Sequence, residues 1–198
     1  MTYESEMQND RQKLCRSLRH IAWGYILLYL DVNFGTFNIL PNWLGFLLIL
    51  FALSPLAAEV PSAALLRSFA ALLAAWCGVT WLASLFGLSM PDGLDVVSLV
   101  VSVITLYFHF QLLTDLATLS EKYGCPQTDK LMHLRTVNTL LTTAMALPLP
   151  WKRIEWLAFT AVLIHGAIVI WICLILFGMK HSLSQEYNIL QEENKFSQ

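Results

Sequence analysis

The sequence predicts an all-α, polytopic helical membrane bundle, and three observations predict it. Hydrophobic residues make up 57% of the 198-residue chain and charged residues only 13%, about half the charge density of an ordinary soluble domain. Two uncharged runs, Ser68 to Pro91 and Trp156 to Met179, are 24 residues each, and about 20 apolar residues cross a bilayer as a helix. Both runs are continuous, whereas an outer-membrane barrel alternates apolar and polar positions in segments of about ten residues. A soluble core, a secreted disulfide scaffold and a nucleic-acid-binding domain are thereby excluded. The net charge of -2 also supplies no basic field to recruit nucleic acid.

The spans follow in chain order. From His20 to Ala58 only Asp31 carries a formal charge, and 39 residues are too many for one span and right for two. The break falls at 33–42, where Asn33, Gly35, Asn38 and Asn42 are turn formers and Pro41 suits the first turn of a new helix. Span one then covers 15–32, with Arg16 and Arg19 reaching into the headgroups, and span two 42–58. Span three covers 67–88, ended by the punctuation of GLSMPDGLD, and span four 94–115. The charges Asp115, Glu121, Lys122, Asp129, Lys130 and Arg135, with the helix-stopping YGCPQ, mark 115–135 as an aqueous loop. Span six covers 155–178.

The remaining stretch, 135–149, carries Asn138 and the threonines Thr136, Thr139, Thr142 and Thr143, and it makes a weak fifth span. Thr hydroxyls bond back to helical carbonyls and suit close helix packing, so six spans are favoured over five. Lys and Arg accumulate in cytoplasmic loops. Either count puts ten of the twelve on the N-terminal side, so the N-terminus is expected in the cytoplasm, and an even count brings the C-terminus there too. Residues 1–14 form a cytoplasmic segment, 15–179 the membrane domain, and 180–198 a polar tail, either a short amphipathic helix on the spacing of Leu183, Tyr187 and Leu190 or a frayed end. The polar start is read as retained rather than cleaved, and the polar end carries no lipidation signal.

Polar side chains inside a span cost free energy, about 2.5–3.5 kcal/mol for a central Asp on insertion scales, and so need a partner or water. The first candidate constellation is the hairpin of Asp31, Asn33, Asn38 and Asn42. With span one ending near Val32, Asp31 marks an interfacial helix end. A helix continuing to Asn38 would make Asp31 a proton or cation site with Asn33 beside it, and a Gly-broken re-entrant segment would line a cavity.

Asn33, Gly35, Asn38, Ile39, Leu40, Pro41, Asn42, Trp43, Leu44 and Gly45 spell N-x-G-x-x-N-I-L-P-N-W-L-G. This resembles a motif of small multi-spanning membrane proteins of clostridia-type Gram-positive bacteria, in which Asp occupies one or both of the positions held here by Asn38 and Asn42. The resemblance covers about fifteen residues closely and the layout of spans more loosely. It implies a bacterial inner-membrane protein and carries no established activity. Asn in place of Asp removes charge from the hairpin, against a cation-binding role there.

The second constellation is intramembrane: His109 and Gln111 in span four, and His165 beside Gly166 in span six. A haem held by two histidines needs facing imidazoles at matched depth. His109 falls late in its span and His165 nearer the middle of its own, so no cofactor is expected, and an interhelical hydrogen bond to a Thr of the fifth span is the simpler role. Trp23, Trp43, Trp151 and Trp156 fall near span ends as interfacial anchors. Gly78 and Ala83 offer a small-residue packing surface. Cys15, Cys77, Cys125 and Cys173 lack metal-ligand spacing.

No H-E-x-x-H, G-x-S-x-G or P-loop occurs, and the reading leans away from an enzyme. The expectation is an inner-membrane accessory, assembly or sensing component that meets the lipid bilayer and a membrane protein partner or a second copy. A small transporter or channel subunit with a polar cavity at the 31–42 hairpin is the alternative.

Overall fold

The structure, a computed structural model, describes residues 2–29, 33–34, 37–38, 41–88, 95–146 and 155–196, with side chains over 9–29, 41–88, 96–145, 156 and 159–185. Six helices run in order: α1 (Thr2–Tyr29), α2 (Asn42–Glu59), α3 (Ala63–Leu85), α4 (Asp95–Lys122), α5 (Thr128–Ala146) and α6 (Glu155–Phe196). Between α1 and α2, β1 (Asn33–Phe34) and β2 (Phe37–Asn38) pair antiparallel, Asn33 opposite Asn38 and Phe34 opposite Phe37. Each helix packs on its neighbours in sequence, and α6 closes the circuit on α1. The last pair is antiparallel: the Cys15 thiol lies 4.0 Å from the Lys180 carbonyl and the Cys173 thiol 3.5 Å from that of Ala22. Both chain termini therefore lie at one end of the bundle.

Helical periodicity builds the core. Leu14, Leu18, Ile21 and Tyr25 form a buried stripe on α1, and Phe46, Ile49, Leu53 and Leu56 one on α2, spaced by three and four residues as a packed helix face requires. The contact between these two helices is unusually close. A Cβ on Gly24 would stand 2.9 Å from the Gly45 carbonyl oxygen, and one on Gly45 would stand 2.8 Å from the Gly24 carbonyl oxygen. Absent side chains let the two backbones touch. This is the physical role of the glycine that ends the hairpin motif.

α2, α3, α4 and α6 are long and apolar enough to cross a membrane. α1, with Arg11, Lys13, Arg16 and Arg19, and α5, with its threonines, fall outside that set among the described residues, so four of the six expected spans meet the requirement of length and apolarity.

One boundary corrects the sequence reading. Residues 115–135 are not an aqueous loop: α4 runs on to Lys122 and α5 begins at Thr128, leaving a turn only at the YGCPQ stop. Gly124 takes φ +59°, with Cys125 N–H donating to Ser120 O and Gly124 N–H to Glu121 O, a Schellman end whose left-handed residue is usually glycine, which has no Cβ to strain there. Asp115 interrupts the apolar run without ending the helix, because Leu116 and Leu119 carry the buried pattern of Leu112 and Leu113 past it. The polar residues beyond 180 are the last part of α6, which runs to Phe196, with Leu183 buried.

The core is uneven along the bundle axis. Buried residues of α3 stop at Ala74, those of α4 start at Phe108, and those of α6 gather from Ile168 onward. Near the termini the helices are tied by side chains. Lys122 pairs with Glu59 at 2.8 Å, Gln127 donates to Ser182, and the Arg11 guanidinium stands over the Tyr123 ring. The Lys122–Glu59 pair is half-exposed on the lysine side, where such pairs contribute about 0.2–1 kcal/mol. Lys122→Ala is accordingly expected to lower the thermal midpoint in detergent by no more than a few degrees. A collapse of the bundle would mean that the pair carries more of the fold than its exposure allows.

Candidate functional site

Where α1, α2, α4 and α6 meet, an aromatic and histidine cluster fills the interior. Tyr25 and Tyr29, one turn apart on α1, point to the same side. α4 supplies Phe108 and His109, α2 supplies Phe46, and α6 supplies His165. Tyr25 is fully buried and His109 is 5% exposed. His109 Nδ1 and the Tyr25 hydroxyl are 3.3 Å apart, so one donates to the other according to the tautomer. Ring centroids separate Tyr29 from His165 by 4.5 Å and from His109 by 6.3 Å. Phe46 and Phe108 pack edge-on at 5.7 Å, and each also touches the His109 ring.

One expectation about the histidines is thereby corrected: the hydrogen-bond partner of His109 is a tyrosine of α1, not a threonine of α5. Both imidazoles approach the Tyr29 ring, and α4 runs seven residues beyond the expected end at 115, which sets His109 near the middle of its helix. The Tyr29 ring flanks both imidazoles, so they are bridged by an aromatic ring. Among the described residues no group of three or more His, Cys, Asp or Glu is placed to hold a metal ion. His165 Nδ1 is buried without a hydrogen-bond partner.

Six residues along α4 from His109, Asp115 is 1% exposed. Its Oδ1 accepts from Ser62 Oγ at 2.6 Å and from Gln111 Nε2 at 2.8 Å, while Oδ2 is buried without a partner. Gln111, singled out in the sequence, thus serves a carboxyl that the sequence reading had assigned to water. The signal for it was there: Gln111 and Asp115 are four apart, on one face of a helix whose flanking leucines stay apolar. On the adjoining face Arg135 of α5 donates to Thr114 at 3.2 Å and lies 4.7 Å over the Phe110 ring.

The hairpin constellation is only partly placed. The backbone sets Asn33 against Asn38 in the ladder, and α1 ends at Tyr29, so no helix continues to Asn38. Asn42 opens α2 and is exposed. Asp31 and the side chains of Asn33 and Asn38 lie outside the described residues. Trp43 is half-buried, edge-on to Trp81 at 6.2 Å, with Gly78 facing it. It packs between α2 and α3, whereas Trp23 and Trp156 are exposed, and Trp151 lies outside the described residues.

Comparison with protein-family models, curated proteins and solved structures finds no match to this chain. The functional reading therefore rests on residues and geometry.

Proposed function

We propose that this chain is a bacterial inner-membrane protein of six spans with both ends in the cytoplasm, working as an accessory, assembly or sensing component through helix contacts with a membrane partner. The observation that carries the proposal is the outer half of α4. Val96, Val97, Leu99, Val100 and Val103 are all exposed, while Val101 and Ile104 pack partly against the core, and because successive residues point about 100° apart most of the circumference of this segment is left uncovered by the described residues. The antiparallel register fixed by Ser62 with Asp115 and Phe69 with Tyr107 sets the segment beside residues 73–80 of α3. There Val79 is also exposed. An exposed apolar surface shared by two helices suits packing of a partner helix, by van der Waals contact as membrane helices do.

A photoreactive side chain at position 100, activated in native membranes, is expected to yield one dominant protein adduct, either another membrane protein or a second copy of this chain. Adducts with lipid alone would overturn the partner reading. The topology has its own check. A single cysteine introduced by Ser197→Cys, with Cys15, Cys77, Cys125 and Cys173 replaced, is expected to resist an impermeant thiol reagent applied to intact cells. Strong labelling would mean an odd number of spans. The cytoplasmic assignment is supported by ten of twelve Lys and Arg lying toward the end that bears both termini, in keeping with the positive-inside rule.

One observation favours a second reading as a small transporter or channel subunit: the ionisable groups His109, His165 and Asp115 within apolar helices, positions that commonly mark ion or proton paths. In that reading the path follows the histidine cluster rather than the 31–42 hairpin. Flux into vesicles that survives His109→Gln would argue against it.

A further inference from the structure

Asp115 is a buried carboxyl whose two oxygens are treated differently, and the asymmetry identifies its chemical state. Both donors that reach it, Ser62 Oγ at 2.6 Å and Gln111 Nε2 at 2.8 Å, bond the same oxygen, Oδ1. Oδ2 is buried and has no partner. A carboxylate has two equivalent acceptors and, sealed from water, needs donors or a cation on both. A carboxylic acid accepts at its carbonyl oxygen and leaves a single neutral O–H to place, which costs far less than an uncompensated buried charge. The arrangement around Asp115, with both donors on one oxygen and no cation on the other, favours the acid.

The neighbouring charges are committed elsewhere. Lys122, two turns along the same face of α4 and about 10 Å away by helical rise, pairs with Glu59 of α2. Arg135 of α5 bonds Thr114 and covers Phe110. Arg67 of α3, Arg16 and Arg19 of α1, and Asp129 and Lys130 of α5 are exposed, and His109 faces Tyr25 of α1. No cation among these is spent on Asp115. Access is provided by Ser62, which is itself exposed while its hydroxyl touches the buried carboxyl. An exposed residue at the termini-bearing end of the bundle thus reaches the carboxyl directly, at Oδ1.

We propose that Asp115 is a proton-binding site, with Oδ2 carrying an exchangeable proton at neutral pH and with Ser62 and Gln111 holding Oδ1 as the carbonyl. Proton release leaves a carboxylate at the joint where α4 meets the turn between α2 and α3, so the site links proton occupancy to the fit of α4 against that turn. The inference rests on α4 lying in the membrane and does not depend on whether a partner helix binds its outer half.

Infrared spectroscopy of the full chain in lipid tests it. At about pH 7 exposed carboxyls are ionised, so the wild-type protein is expected to show a carboxylic-acid carbonyl band that shifts in deuterated water and is lost as the pH is raised over the range in which the protein stays folded. Asp115→Asn should remove the band and Asp115→Glu should move it, the second variant serving if the first does not fold. Absence of the band from wild type, a band unmoved by the two variants, or a band unaltered across the pH range would each overturn the proposal. A band that appears only in sodium-free buffer would put a sodium ion at Oδ2 and would overturn it equally. Loss of the photo-adduct at position 100 with the Asp115 band intact would count against the partner reading alone.

Discussion

Gly45→Leu is expected to abolish the folded bundle, and Gly45→Ala to weaken it by about 1–3 kcal/mol, the usual cost of forcing atoms into a packed interior. A Cβ at residue 45 meets the Gly24 carbonyl oxygen at 2.8 Å and Leu28 Cγ at 2.7 Å. Leu28 can change rotamer, but the carbonyl belongs to the α1 backbone and moves only if the helix moves. α1 is held on its other side by α6 through Cys173, so separating it from α2 also loosens that contact and displaces Tyr25 and Tyr29 from the two histidines. The leucine adds three further carbons to the clash, and no rotamer removes the first one. Two other glycines are the controls. A Cβ at Gly78 comes no nearer than 3.9 Å to Trp43, and one at Gly166 meets nothing within 4 Å. Gly78→Ala and Gly166→Ala should leave stability unchanged or raise it slightly, since alanine is the better helix former. Monodispersity on gel filtration after graded heating in detergent ranks the four variants. Equal behaviour of Gly45→Ala and Gly166→Ala would show that the backbones of α1 and α2 do not touch.

The same glycine shows how much the sequence disclosed. Gly45 stood out as part of a motif, but a close backbone approach needs a second partner, and nothing in the local pattern around Gly24 marks it as that partner. Gly78 and Ala83, chosen as the packing surface because small residues cluster there, face only a tryptophan in the case of Gly78. Segment identity was legible wherever an apolar run exceeded the bilayer: α2, α3 and α6 begin within about four residues of the expected starts. The run from His20 to Ala58 was rightly divided, because the turn formers Asn33, Gly35, Asn38 and Asn42 cluster there and Pro41 suits the start of a new helix.

The candidate site was less legible, for a physical reason. His109, Gln111 and His165 announced themselves as polar residues in apolar runs, yet a polar residue on its own does not name its partner. Tyr25 and Tyr29 read as ordinary aromatic residues of span one, although their spacing of four is what carries two hydroxyl-bearing rings to one face. Asp115 was misplaced because a charge late in an apolar run has two explanations, a helix end or a buried site. The choice depends on Ser62, 53 positions earlier in the chain.

Packing and polarity at Tyr25 can be separated, and the separation decides what holds the histidine cluster in place. Tyr25 is fully buried between α1 and α4. Tyr25→Ala removes the whole ring and is expected to cost about 3–5 kcal/mol, the range for deleting a large aromatic side chain from a packed core. Tyr25→Phe keeps the ring and removes only the hydroxyl that meets His109 Nδ1 at 3.3 Å. Interhelical hydrogen bonds in membrane proteins average about 0.6 kcal/mol and reach about 1.7, so the phenylalanine variant should lie much closer to wild type than the alanine variant. His109→Leu and the double variant close the cycle. A coupling of about 0.6–1.7 kcal/mol between the hydroxyl and the imidazole is expected, with unfolding followed in detergent by tryptophan fluorescence. A coupling near zero would mean that His109 is held by Phe46, Phe108 and Tyr29 through ring packing alone. The imidazole would then keep its place when its polar partner is lost, and α1 would contribute shape rather than hydrogen bonding to the centre of the bundle.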